Sequence, residues 1–91
     1  MKAVLFDTDP MQSASYVQGM AVCSNLLDLG EEVAAFPTGD FARALSFAPE
    51  DAPFRRQFSQ LELFGARVCG DPSSSPDARR ILHSCEGALS F

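Results

Sequence analysis

Three cysteines offer the strongest nucleophilic chemistry in this sequence, and Cys69 is the best placed of them. It ends a short predicted strand, Ala66–Cys69, and is followed by Gly70 and Asp71. A thiol near a helix N-terminus has a lowered pKa and is more often the reactive thiolate. We therefore predict that Cys69 is a catalytic nucleophile. The alternative is that Cys69 is a small buried strand residue, since free cysteines are among the most buried residue types.

The other two cysteines are less suited to chemistry. Cys23 shares an apolar helical face with Tyr16 and Met20, so we predict that it is a core residue. Cys85 follows His83 by two residues, and that spacing does not place two side chains on one face of a helix, which argues against catalysis or metal binding by this pair. An odd number of cysteines without CxxC spacing suggests no disulfide framework. We predict no metal site and no cofactor.

Polar residues follow three of the predicted strands at the points where those strands end. The carboxyl ends of parallel strands meet at one edge of a sheet, where ligands bind. We predict that the following residues line a substrate site around Cys69: Asp7, Asp9, Thr38, Gly39, Asp40, Gly70, Ser73, Ser74 and Ser75. Helix N-termini at this edge would stabilise a thiolate, whereas the aspartates would raise the pKa of the thiol. The sequence leaves open which effect is larger.

The apolar pattern predicts alternating strands and helices that would position these residues. Strands are predicted at 3–6, 33–36, 66–69 and 88–91, and helices at 10–29, 40–45, 54–64 and 76–86. Asp9 with Gln12 fits a capping box, Asp40 fits a cap for the second helix, and Ser75 fits a cap for the last one. The order β-α-β-α-α-β-α-β predicts one domain over residues 1–91. Its expected fold is a three-layer α/β/α arrangement with a mainly parallel sheet of four to five strands.

Charge and composition exclude some classes of function. The net charge of −5, without a basic stripe or Trp, argues against nucleic-acid binding. No apolar run approaches the roughly 20 residues of a membrane span, and residues 2–6 are too short for a signal peptide, so we expect a cytoplasmic protein. Eight Phe in 91 residues suggest an oligomer. The basic pairs Arg55–Arg56 and Arg79–Arg80 fit solvated helix faces, or a surface for an anionic substrate or an acidic partner.

The segment Leu29–Asp40, LGEEVAAFPTGD, resembles the LGxEVxxFxxGD segment of the DsrE/DsrF-like (YchN-like) sulfur-relay family. Gly65–Gly70 is similar to the cysteine-bearing strand end of that family, and Gly87–Phe91 to its closing strand. The resemblance implies an α/β/α fold, a cytoplasmic homo-oligomer (trimer or hexamer) or a hetero-oligomer with related subunits, and a persulfide carried on Cys69. The longer connection, with a further helix, that usually precedes the closing strand is missing here, as is the second cysteine found in some members.

These observations lead to one main functional hypothesis and two alternatives. The first is a small sulfur-relay protein, a possible sulfurtransferase, in which Cys69 takes persulfide sulfur from a donor protein and passes it to an acceptor protein. The second is a non-catalytic oligomeric binding module of the same fold, in which Cys69 is structural. The third uses Asp7 and Asp9, whose DxD spacing is similar to that of haloacid-dehalogenase-type phosphatases, although Met11 stands where that pattern needs Thr or Val.

Overall fold

Four parallel strands form a single sheet in the order β3-β2-β1-β4. The computed structural model describes all residues, 1–91. The strands are β1 (Lys2–Phe6), β2 (Val33–Pro37), β3 (Arg67–Val68) and β4 (Gly87–Ser90). The helices are α1 (Ser15–Asp28), α2 (Gly39–Phe47), α3 (Pro53–Gln60) and α4 (Pro76–Ser84). The element order and the parallel sheet confirm the predicted α/β fold.

The two central strands have helices on both faces. In β1, Val4 and Phe6 point into a cluster built with α1, α2 and α3, while Ala3 points into a second cluster built with α4. β2 is buried along its whole length, as a parallel strand between two helical layers should be. The crossovers through α1 and through α2 and α3 lie on one face, and the crossover through α4 lies on the other. This arrangement gives three layers.

An aromatic cluster forms the centre of the larger apolar layer. The ring of Phe6 lies 5.5 Å from that of Phe41 and 5.2 Å from that of Phe58, measured between centroids. Phe54 and Tyr16 extend the cluster. Much of the unusual Phe content is therefore used inside one chain, so it is weaker evidence for an oligomer than the composition alone suggested.

The first helix begins later than predicted, and the prediction of a capping box formed by Asp9 and Gln12 is wrong. α1 begins at Ser15, not Pro10. The Asp9 side chain accepts a hydrogen bond from the Met11 N–H at 2.9 Å, and its carbonyl accepts from Gln12 and Ser13. Asp9 thus closes a local turn of its own, an alternative that short polar side chains offer to a helix.

The second helix is also capped differently. α2 runs from Gly39 to Phe47, with Thr38 and not Asp40 at the N-cap position, and it passes the predicted end at Leu45. The predicted cap of α4 is confirmed, because Ser75 Oγ accepts a hydrogen bond from the Ala78 N–H at 3.2 Å, although the helix ends at Ser84 and not at 86.

The remaining boundaries differ by a few residues. α3 ends at Gln60, and turns continue to Gly65, whose φ is +105°. β3 covers only Arg67 and Val68, although the Cys69 N–H continues the ladder by donating to the Ala35 carbonyl at 2.9 Å. No helix in the chain combines the length and the apolar character that crossing a membrane requires.

Candidate functional site

An open cavity of about 590 Å³ lies at the carboxyl edge of β2 and β3. We call it the edge cavity. Its walls come from α2, α3, the ends of β2 and β3 and the loop that follows β3. Its lining residues are Pro37, Gly39, Ala42, Arg43, Leu45, Ser46, Arg55, Phe58, Ser59, Val68, Asp71 and Ser74. The volume falls within the roughly 300–1,000 Å³ typical of small-molecule sites, which also favour this end of an α/β sheet.

The lining of the edge cavity combines an apolar part with a cationic part. Leu45, Phe58 and Val68 supply the apolar surface. Arg43 and Arg55 supply guanidinium groups, and three serines add hydroxyls that donate or accept hydrogen bonds. Such a lining suits a molecule with a small anionic group on an apolar body.

Arg55 is held in place by the end of α2. Its Nη1 donates to the Leu45 carbonyl at 2.5 Å and to the Ala48 carbonyl at 3.3 Å. Free carbonyls at a helix C-terminus attract a cation, so this contact orients the half-buried side chain. A guanidinium has five N–H donors in a fixed fork, and Nη1 alone is engaged here. The other donors remain available to a ligand.

Arg43 is more loosely held. Its Nη1 lies 3.6 Å from Asp40 Oδ1, one turn earlier in α2, and both side chains are largely exposed. Exposed pairs of this kind contribute roughly 0–1 kcal/mol, so Arg43 can exchange Asp40 for an anionic ligand at small cost. Asp71 is the one carboxylate in the cavity wall, and its Oδ1 accepts a hydrogen bond from the Ser73 N–H at 2.9 Å within its own loop.

Asp7, Thr38 and Gly39 join the first two strand ends beside the edge cavity. Thr38 Oγ1 donates to Asp7 Oδ1 at 3.0 Å, and the Phe41 N–H donates to the Asp7 carbonyl at 3.3 Å. Gly39 has a φ of +48°, and a Cβ at this position would collide with the Asp7 carboxylate. The start of α2 can therefore approach Asp7 closely only because residue 39 is glycine.

Cys69 turns away from the edge cavity. Its side chain packs beside α4, against the cluster that contains Ala34, Phe36 and Ala78. The thiol is partly exposed, and its Sγ lies 3.7 Å from the Arg67 carbonyl oxygen. Partial burial raises the pKa of Cys69, the charge of Arg67 lowers that pKa in part, and the neighbouring Cys85 raises it. Burial is thus the larger effect, and the thiolate is less populated at neutral pH than in a free cysteine.

The other predicted site residues separate into groups. Gly39 and Ser74 line the edge cavity, and Asp7 and Thr38 contact each other beside it. The remaining five have local roles: Asp9 closes its turn, Asp40 pairs with Arg43, Ser73 binds Asp71 through its N–H, Ser75 caps α4, and Gly70 packs beside Ser75.

Several cavity residues were not predicted, because they lie within helices and not at strand ends. They are Ala42, Arg43, Leu45, Ser46, Phe58 and Ser59. Arg55 could have been found from the sequence, because the basic pair Arg55–Arg56 is one of two that could attract an anionic substrate.

No three His, Cys, Asp or Glu side chains lie close enough together to hold a metal ion. Comparisons of the chain with protein-family models, with curated proteins and with solved structures found no match. The resemblance to the sulfur-relay family therefore stays a prediction.

Proposed function

We propose that this protein is a binding module for a small organic anion, which occupies the edge cavity. The observation that carries the proposal is the lining, in which Arg43 and Arg55 lie beside the apolar surface of Phe58 and Val68. The proposal is a form of the binding-module alternative, with Cys69 in a structural role.

The charge distribution supports an anionic ligand. The chain has a net charge of −5 and only seven Lys and Arg residues, yet two of the seven line this one cavity. The cavity also meets the N-terminus of α2 at Gly39, and the partial positive charge of a helix N-terminus favours negative charge nearby. Because the protein as a whole is negatively charged, most of its surface repels anions. An anion that binds is therefore expected at this cavity, where two arginines lie together.

Calorimetric titration with phenyl phosphate tests the proposal, because this probe has both the anionic group and the apolar body. Inorganic phosphate and phenol are the comparisons, each with one half of the probe. We expect phenyl phosphate to bind more tightly than either. Arg43→Gln should weaken its binding about tenfold, the effect of losing roughly 1.5 kcal/mol from a charged hydrogen bond.

Arg56→Gln is the matched control. Arg56 neighbours Arg55 on α3, is exposed, and does not line the edge cavity. The control removes the same charge, so binding should change little. Equal losses in the two variants would show general attraction of anions to a basic surface, and would contradict the proposal, as would an absence of binding by the wild type.

A second candidate function is sulfur relay, which the position of Cys69 favours. Cys69 is partly exposed and follows β3 at the carboxyl edge, while Cys23 is fully buried. In this proposal the Cys69 thiolate attacks the outer sulfur of a donor persulfide, the donor S–S bond breaks, and the donor leaves as a thiolate. An acceptor thiolate then takes the same sulfur from Cys69. The cytoplasmic location remains a prediction, supported by three free cysteines.

Intact mass after incubation with a persulfide donor tests sulfur relay. We expect the wild type and the matched variant Cys85→Ser to gain one sulfur, and Cys69→Ser to gain none. Because burial raises the pKa of Cys69, loading should become faster as the pH rises above neutral. A sulfur that still loads on Cys69→Ser would exclude this residue as the carrier.

A further inference from the structure

The edge strand β4 is uncovered on both faces. All four of its residues are exposed, whereas all five residues of β2 are buried. Parallel sheets normally have both faces covered, and an open sheet edge offers unpaired backbone groups to another chain. At the opposite edge, β3 is only two residues long, which protects it from such pairing. β4 is therefore the edge at which pairing with another strand is expected.

The hydrogen bonds of β4 show which of its backbone groups are free. The Phe91 N–H donates to the Leu5 carbonyl at 2.8 Å, and the Phe91 carbonyl accepts from the Asp7 N–H at 2.7 Å. Both groups of Phe91 thus point toward β1. In a parallel ladder this direction alternates along the strand, so Leu89 also bonds to β1 while Ala88 and Ser90 direct their N–H and C=O groups outward.

The charge distribution around β4 favours a second copy of this chain as the partner. Residues 87–91 have no charged side chain and no proline, the two features that usually block edge pairing. The charges beside this segment already have partners: Glu86, just before β4, lies 3.1 Å from the N-terminal ammonium and 3.8 Å from Nζ of Lys2, which lines the groove next to β4. Two molecules that each have a net charge of −5 can therefore meet along residues 87–91 without an unpaired charge in either paired segment.

We propose that two copies of the chain pair through antiparallel β4 strands, related by a two-fold axis at Leu89. In this register Ala88 faces Ser90 of the other copy, and each of the two pairs exchanges two N–H···O=C hydrogen bonds. The spacing of the outward groups at 88 and 90 is self-complementary, as a two-fold interface requires. The result is one continuous eight-stranded sheet.

Side-chain packing across the axis fits this register. The two Leu89 residues form a pair without direct hydrogen bonds, in which Cα atoms lie about 4.5 Å apart and side chains contact each other. Leu89 is 51% exposed in the single chain. It borders a groove of about 310 Å³ between β4 and α1, whose walls include Leu26 and Ala88. The second Leu89 lies on the same face of the sheet and covers part of this groove.

Sedimentation equilibrium over a dilution series tests the proposal. We expect twice the 9.8 kDa chain mass at high concentration and dissociation on dilution. Leu89→Lys should remain a monomer throughout, because two ammonium groups would face each other at the axis. Leu63→Lys is the matched control, since Leu63 is 83% exposed and lies outside β4, and it should dimerise like the wild type. A wild type that stays monomeric would overturn the proposal.

A second variant and amide hydrogen exchange locate the interface. Ser90→Pro removes one outward N–H, which has no acceptor within the chain, so the variant should fold but not dimerise. It serves as the test if Leu89→Lys fails to fold. In the wild-type dimer, the amides of Ala88 and Ser90 should exchange slowly, and dilution should make them fast. If the protein dimerises but the amides of Ala88 and Ser90 exchange rapidly, the dimer uses another surface. If the protein is a monomer and both amides exchange slowly, something other than a second copy protects β4. Either result would contradict the proposal.

Discussion

At the scale of single residues, the three cysteines show how surroundings determine a role. All three are free thiols, but Cys23 is fully buried, while Cys69 and Cys85 are partly exposed beside α4. The sequence was sufficient to place Cys23 in the core. It did not predict that Val68 would border the edge cavity while Cys69 turned to the opposite face. Adjacent strand residues do point to opposite faces, but which face is which depends on how the sheet is wound.

Cys23 leads to a prediction about alkaline pH. Burial raises the pKa of Cys23 from 9.0 to about 11. The folded pKa thus lies above the unfolded one, so folding favours the neutral thiol. The contribution of the neutral Cys23 thiol to the free energy of unfolding is fully present below about pH 9. It is lost as the pH rises through about 11. Urea unfolding at a series of pH values should show this decline in the wild type.

Cys23→Ala is the comparison for this measurement. Every other group that titrates in the same range is present in both proteins, so the difference between the two pH profiles isolates Cys23. The variant should be less stable at neutral pH and should lose less stability between pH 9 and 11. Parallel profiles would contradict the assignment of this decline to the buried thiol.

At the scale of elements, two similar dipeptides differ in whether they start a helix. Asp9-Pro10 and Ser75-Pro76 both combine a capping residue with proline, and both were predicted to start helices. Ser75 does so, whereas Asp9 closes an isolated turn. The residues after Pro76 include Ile81 and Leu82, which pack against the sheet, whereas Met11 after Pro10 is 76% exposed. Local capping chemistry was readable from the sequence, but burial of the next turn decides whether a helix continues.

The cap of α4 leads to a prediction about stability. Ser75→Ala removes the oxygen that accepts the Ala78 N–H and should lower the free energy of unfolding by about 0.5–2 kcal/mol. Ser73→Ala, in the same loop, removes a hydroxyl that makes no cap and should change stability by less than about 0.5 kcal/mol. Urea unfolding of the two variants checks this. Equal losses would show that the Ser75 hydroxyl does not act as a cap.

At the scale of the whole molecule, the apolar pattern predicted the element order and the parallel sheet, because both follow from local periodicity and alternation. The lining of the edge cavity could not be predicted in the same way. Arg43 and Arg55 lie on different helices, 12 positions apart in sequence. They border one cavity only once Phe41 of α2 contacts Phe54 and Phe58 of α3, and those contacts depend on tertiary structure.

The two proposed surfaces lie at opposite ends of the strand order β3-β2-β1-β4. The edge cavity borders β2 and β3, whereas pairing uses β4, beyond β1. Ligand binding and dimerisation should therefore be separable. Leu89→Lys, expected to be a monomer, should bind phenyl phosphate as the wild type does, so failure of one proposal does not imply failure of the other.

The most direct test of ligand binding at the edge cavity is an NMR titration of the ¹⁵N-labelled protein with phenyl phosphate. We expect saturable shifts at the backbone amides of Gly39, Ser59 and Ser74, together with the side-chain N–H of Arg55. The second large cavity, about 580 Å³ in volume and bordered by Met11, Phe47 and Phe54, should show no response. Shifts confined to that second cavity, or no saturable shifts anywhere, would show that the edge cavity does not bind this anion.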